Sequence, residues 1–378
     1  MKLMHLSDLH LGKRVNGFTM IADQRHVLEQ ILAMAAEEKP DGALLCGDIY
    51  DKTVPSAEAV ELFDWFLSRL AQCCPVYIIS GNHDSAERLA FGGRLRERAG
   101  VYLSPVYDGT VTTVRQQDEF GTVCIHLLPF LKPVQVRRFY PEEVVESYTD
   151  AARVALSAID RADGNRHVLL AHQFVTGSER CESEEVSIGG SDNVDAEVFA
   201  GFDYVALGHL HGAQRAGGDH IRYCGTMLKY SFSEANHHKS VTFVQLQEKG
   251  SLTITTRELK PLRDLKQIRG TYEELMSRSF YYGTDLPESY LPITLTDEED
   301  VPEALGRMRT VYPYIMKLSY DNERTRTRQN PLEAEIMPET SPLELFGLLY
   351  EKQNNRELGD DQRNYLTGLI ESIWKEEA

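Results

Sequence analysis

The sequence predicts a mixed α/β protein in which parallel strands are joined by crossover helices, followed by a smaller α+β domain and C-terminal helices. Three observations predict it. A strand, a polar loop and a helix recur between Lys2 and Asp84, polar motifs stand just beyond successive apolar runs, and the pattern changes after Pro261. Taken in order, Lys2 to Leu6 is a short apolar strand that breaks into Ser7-Asp8-Leu9-His10-Leu11-Gly12. Ile21, Leu28, Ile31, Leu32 and Ala35 recur at helical spacing, and Pro40 closes that helix before the strand Ala43 to Cys46. Gly47-Asp48 turns the chain, Ser56 caps a helix through Val60, Phe63, Leu67 and Leu70, and Val76 to Ile79 is a third strand ending in Gly81-Asn82-His83-Asp84. His167 to Ala171 and Tyr204 to Leu207 read as strands running into His172 and into Gly208-His209-Leu210-His211, while alternating stretches at 241–247 and 252–257 suggest antiparallel strands.

Beyond Pro261, Thr271-Tyr-Glu-Glu274 is a capping-box pattern, 291–295 and 314–318 are strands, and a Pro-started helix is expected over 301–311. The polar, basic segment from Glu323 to Pro331 reads as a linker or exposed strand end. A second capping box at Ser341 to Glu344 opens a helix through Leu345, Phe346 and Leu349, and Leu366, Leu369, Ile370, Ile373 and Trp374 mark a final amphipathic helix. The division expected is 1–260, 261–335 and 336–378.

The chain has 378 residues, enough for a large core and an appendage, and 42% apolar with 26% charged residues is a globular composition. A formal charge of −18 argues against general adhesion to nucleic acid or anionic lipid, so a polyanionic substrate would need local basic patches or bound cations. An acidic residue, Asp8, interrupts the opening apolar run and no window approaches membrane-spanning length, so a cytoplasmic protein without a membrane partner is expected. Six cysteines without a Cys-x-x-Cys pair suggest buried thiols, not a zinc ribbon or a disulfide framework. No P-loop occurs; the chain should not hydrolyse ATP itself.

The chemistry is concentrated in Asp8-x-His10, Gly47-Asp48-x-x-Asp51, Gly81-Asn82-His83-Asp84, His172 and Gly208-His209-x-His211. Any one of these could be an ordinary strand-end turn. All five in this order are better explained as a metal centre, because carboxylate and imidazole with one carboxamide suit Mn²⁺, Fe²⁺ or Zn²⁺. Seven donors exceed one ion; two ions about 3.5 to 4 Å apart need a shared carboxylate, for which Asp48 is central in the order and of the right type. The isolated His5, His26, His126, His167 and His220 read as satisfied surface or core groups, and His237-His238 as loop.

With these motifs the sequence resembles the calcineurin-like metallophosphoesterase superfamily over about the first 240 residues, and more finely the SbcD family of bacterial nuclease subunits. The finer likeness rests on His172-Gln-Phe-Val-x-Gly177, Ser178 to Glu184, Asp203 to His211, Tyr223-Cys-Gly225 and Ser231-Phe-Ser-Glu234. The chain departs from the family at Thr226-Met227, where Ser-Pro is usual. The resemblance implies a two-sheet sandwich flanked by helices, a small capping domain, and two divalent ions, taken as Mn²⁺. It implies that Asp8, His10, Asp48 and His211 hold one ion and that Asp48, Asn82, His172 and His209 hold the other. His83 would face the scissile phosphate, with Asp84 orienting it.

The resemblance also implies a DNA nuclease acting on duplex ends, single strands and hairpins in repair, recombination and replication, with an SbcC-like coiled-coil ATPase as partner and a homodimer of nuclease subunits. Candidate DNA contacts are Arg88, Arg94, Arg96 and Arg98; Lys132, Arg137 and Arg138 with Phe139 and Tyr140; and Arg324, Arg326 and Arg328. Leu62, Phe63 and Phe66 are candidate dimer residues on a helix that could equally be core. The apolar stripes of the two terminal helices favour partner binding. Two other readings compete: a metallophosphoesterase for a small phosphomonoester or cyclic nucleotide, disfavoured by the extra domain, and a non-catalytic DNA-end scaffold, disfavoured by the His83-Asp84 pair.

Overall fold

In the computed structural model, two six-stranded mixed sheets lie face to face. One runs in the order 252–258, 240–246, 2–6, 42–46, 76–79, 101–104, and the other 214–215, 221–223, 204–208, 166–172, 121–127, 112–118. The structure describes residues 1–104, 106–182, 184 and 192–322, with isolated positions between 343 and 369. In the first sheet the strands Lys2–Leu6, Gly42–Cys46, Val76–Ile79 and Val101–Ser104 are mutually parallel, and Ser240–Leu246 adds antiparallel beside Lys2–Leu6. In the second, Gly121–Leu127, Arg166–His172, Tyr204–Gly208 and Ile221–Tyr223 are parallel.

Period-two alternation divides each strand between two cores. Leu3, Leu44, Cys46, Tyr77 and Ile79 meet Ile125, Val168, Leu170, Tyr204 and Ala206 of the other sheet. Their neighbours Met4, Leu6, Ala43, Leu45 and Ile78 face outward and pack under the helices Ile21–Glu38 and Ala57–Cys73. Ser56 caps the second helix, its hydroxyl accepting from Ala59 N at 3.3 Å, as expected. Both helices present their buried stripe to the sheet, and Leu62, Phe63 and Phe66, at 2%, 3% and 0% exposure, belong to it. These three are core; the alternative reading as dimer residues does not hold, because the helix turns the opposite face to solvent.

Several elements carry no counterpart in the sequence reading, and three of them build one side of the second sheet. The strands Thr112–Asp118 and Gly121–Leu127 form an antiparallel hairpin at the edge of the second sheet, and the helix Tyr148–Leu156 covers that sheet's outer face. The expected helix over 301–311 is shorter, Ala304–Met308, and it begins after Glu303, whose φ of 53° cannot continue a right-handed helix. A three-stranded sheet, 268–270, 291–295, 315–320, follows the sandwich, and Thr271 caps the helix Tyr272–Met276 by accepting from Glu274 N at 3.2 Å. The chain divides into two compact units, Met1–Thr294 with Glu303–Ser319, and Leu295–Pro302 with the chain from Tyr320 onward. The expected helices over 341–374 and the Arg324, Arg326, Arg328 cluster lie outside the described residues or only touch them. Among the described residues no helix is long and apolar enough to cross a membrane.

Candidate metal centre

The parallel strands of both sheets end on one side of the sandwich, and the loops leaving 2–6, 42–46, 76–79, 166–172 and 204–208 converge there. The turns are tight enough that Asp8, His10, Asp48 and His209 take positive φ values of 52°, 44°, 49° and 102°. Non-glycine residues held there cost on the order of 1 kcal/mol each and mark sites where the surroundings fix the backbone. What fixes it is visible: Asp8 N donates to Gly47 O and His10 N to Asp48 O, each at 3.0 Å. His209 N donates to both oxygens of the Asp8 carboxylate, at 3.0 and 3.1 Å.

The seven predicted donors are all brought together. Asp48 Oδ2 stands 3.3 Å from His172 Nε2, 3.8 Å from His10 Nε2 and 4.0 Å from His83 Nε2, while its Oδ1 accepts from His83 N at 2.9 Å. Asn82 Oδ1 lies 3.0 Å from His172 Nε2 and 3.1 Å from His209 Nδ1. His10 Nε2 and His211 Nε2 face each other at 3.2 Å, and Asp8 groups with them and, separately, with Asp48 and His172. These side chains are buried, with Asn82 half-buried.

The hydrogen bonds decide which lone pairs point inward. His172 Nδ1 donates to Cys46 O at 2.7 Å, so Nε2 is the atom that faces the oxygens of Asp48 and Asn82, and although burial opposes it, Asp48 raises this ring to about 9. His211 Nδ1 donates to Glu234 Oε1 at 3.4 Å, leaving its Nε2 lone pair toward His10. His10 Nδ1 is buried with no hydrogen-bond partner. Two carboxylates, four imidazoles and a carboxamide gathered within a few ångströms, with the buried His10 Nδ1 left without a hydrogen bond, are a donor set that fits divalent metal. Burial supports this by lowering His209 to about 3 and His10 well below its usual value, which keeps both rings neutral and able to donate. Burial, opposed by His172, lifts Asp8 to about 6; for Asp48 burial is outweighed by His172, which holds its carboxyl well below the usual range.

His83 is part-exposed at the rim, its Nδ1 donating to Asp51 O at 3.1 Å and its ring edge-on to His10 at 4.9 Å. Asp84 does not orient it. The Asp84 carboxylate accepts from the backbone N–H of Ile49, Tyr50 and Gly81, at 3.2, 3.0 and 3.0 Å, and so pins the Asp48 and Asn82 loops to each other. Asp51 supplies the orienting carbonyl instead.

Five further residues frame the site. Gln24 Nε2 donates to His10 O at 2.8 Å, Tyr230 OH donates to Leu9 O at 2.7 Å, Glu184 Oε1 accepts from His211 N at 2.6 Å, and Glu234 is salt-bridged to Lys239 at 2.6 Å. Glu184 and Glu234 fall in stretches that carry the family resemblance; Gln24, Tyr230 and Lys239 have no local signal at all. Among the expected DNA contacts, Arg88, Arg98, Lys132 and Arg138 are exposed, Arg96 and Arg137 reach the carbonyls of Leu89 and Val145, and Tyr140 OH is turned inward to Gly109 O.

Sandwich and site together define a calcineurin-like phosphoesterase, and residues 1–213 match the calcineurin-like phosphoesterase family. Residues 261–354 match the family described as type 5 capsule protein repressor C-terminal domain. Over 324 residues the chain is 32% identical to the SbcD subunit of the nuclease SbcCD of Staphylococcus epidermidis, covering 84% of this chain and 85% of that relative. The chain belongs to the SbcD family of metallophosphoesterases. Among solved structures it is similar to a dimetal phosphatase from Danio rerio, at 13% identity with a TM-score of 0.44 over 69% of this chain and 98% of that one. A protein of Thermus thermophilus matches at 15% identity with a TM-score of 0.40, over 68% and 98%.

Proposed function

We propose that the chain is a Mn²⁺-dependent DNA nuclease subunit that hydrolyses phosphodiester bonds, as an exonuclease at duplex ends and an endonuclease on single strands and hairpins. In this reading it works in the cytoplasm with an SbcC-like coiled-coil ATPase, in DNA repair and recombination, and its nuclease subunits pair as a homodimer. The observation that carries the reading is the convergence of Asp8, His10, Asp48, Asn82, His172, His209 and His211 on one buried point with His83 at its open edge. Two divalent cations held there would supply neutralisation of phosphate charge and an acidified water.

The remaining steps belong to the protein's own groups. Asp48 Oδ2, central among three imidazoles, is the donor placed to be shared. His83, with Nδ1–H committed to Asp51 O, presents Nε2 toward the centre, 4.0 Å from Asp48 Oδ2, where a proton on that nitrogen would be able to pass to the leaving sugar oxygen. No covalent protein intermediate is required in this reading, and direct hydrolysis fits the arrangement. Residues 1–260 would carry this chemistry, 261–335 would cap the DNA, and 336–378 would engage the ATPase.

The test is incubation of the chain in Mn²⁺ with linear duplex, hairpin DNA and a chromogenic phosphomonoester, with His83→Gln alongside. DNA should be cleaved, and His83→Gln should bind the same metal while losing about 10²- to 10³-fold in rate. Preferential hydrolysis of the monoester would point to a small-molecule esterase, and bound metal without any hydrolysis to a scaffold.

A further inference from the structure

His211 differs from the other imidazoles in how completely buried side chains grip it. Its N–H donates to Glu184 Oε1 at 2.6 Å, and its carbonyl accepts from Lys239 Nζ at 2.9 Å and from Thr226 N at 3.2 Å. Its Nδ1 donates to Glu234 Oε1 at 3.4 Å. The second Glu234 oxygen accepts from Lys239 Nζ at 2.6 Å, and that ammonium also donates to Thr226 Oγ1 at 2.7 Å. Exposure is 0% for Glu234, 1% for Thr226 and 8% for Lys239.

A carboxylate and an ammonium this deep are costly to desolvate, and replacing such a pair by apolar groups is often neutral for stability, so stability alone does not account for the network. Its geometry does something more specific. A carboxylate on the far nitrogen of a metal-binding imidazole fixes the tautomer and the ring plane and raises the basicity of the donor nitrogen. Lys239 compensates the Glu234 charge and, through His211 O, clamps the same residue's backbone. Thr226, where the family has serine followed by proline, contributes the hydroxyl that completes the ammonium's third bond.

We propose that Glu234 and Lys239 are positioning residues for metal binding, a buried ion pair that holds His211 as the Nδ1–H tautomer with Nε2 directed at the ion it shares with Asp8 and His10. The inference rests on the dinuclear reading of the centre, and the experiment separates the two. Mn²⁺ titration calorimetry is run on the full chain and on Glu234→Gln and Lys239→Met, with folding checked by circular dichroism. The wild type should bind two ions. Glu234→Gln should weaken one of them about 10- to 100-fold and leave the other within about threefold, because the second ligand set, Asn82, His172 and His209, is untouched.

Wild-type protein that binds no Mn²⁺ would sink the metal reading itself. Two ions bound by the wild type, with both affinities unchanged in a folded Glu234→Gln, would overturn only the positioning role. Should the variants not fold, ¹⁵N spectra of the wild-type histidines, with His211 identified by selective labelling, still decide: Nδ1–H supports the role and Nε2–H refutes it.

Discussion

Asp8, His10, Asp48 and His209 pay a local conformational cost that other side chains of the same type avoid, and the hydrogen bonds between their loops hold them to it. Elsewhere the same residue types serve structure alone. His126 stacks in line with His167, its Nε2 2.9 Å from His167 Nδ1, while its own Nδ1 meets Thr113 Oγ1 at 2.8 Å and His167 Nε2 meets Asp163 at 3.0 Å. Burial, helped by His167, lowers His126 to about 4. The folded value lies below the unfolded one near 6.5, so the unfolded chain binds the extra proton; stability is complete above about pH 6.5 and is lost as pH falls toward 4. The expected loss is about 2 to 3 kcal/mol. Urea midpoints measured in chelator between pH 7 and 4 should fall more steeply for the wild type than for His126→Gln; parallel curves would remove His126 from the acid response.

At the scale of elements, three glycines let the strand ends close on one another. A Cβ on Gly208 would overlap the Cys46 carbonyl oxygen and come 2.7 Å from His172 Nδ1, one on Gly47 would approach Gly81 N to 2.8 Å, and one on Gly81 would collide with Asp48. Gly208→Ala should therefore cost about 2 to 3 kcal/mol and displace His172; calorimetry should show the ion proposed to lie between Asp48, Asn82 and His172 lost first. Unchanged metal affinity would show that the loops can separate without harm. This closeness explains what was legible in the sequence. Ligand loops announce themselves because Asp, His, Asn and Gly follow short apolar strands. The hairpin at 112–127 does not, since Thr112–Asp118 is an edge strand whose polar residues hide the alternation. Gln24 and Lys239 reach the site from a helix and from a strand start chosen by tertiary packing, and the orienting role that the resemblance implies for Asp84 gives way to its hydrogen bonds with the backbone of Ile49, Tyr50 and Gly81.

For the whole molecule, the sandwich carries the proposed ligand set within Met1–Thr294, so metal binding should not need the C-terminal region. Deleting 341–378 is expected to abolish association with a coiled-coil ATPase of the SbcC type in a pull-down while single-strand cleavage in Mn²⁺ persists. Loss of metal from the truncated chain would contradict the proposed division at 336. The central claim, two cations sharing Asp48, is tested most directly by anomalous diffraction at the manganese edge from crystals grown in Mn²⁺. Two peaks about 3.5 to 4 Å apart with the Asp48 carboxylate between them are expected. A single peak, or a pair with Asp48 turned away from both, would contradict it.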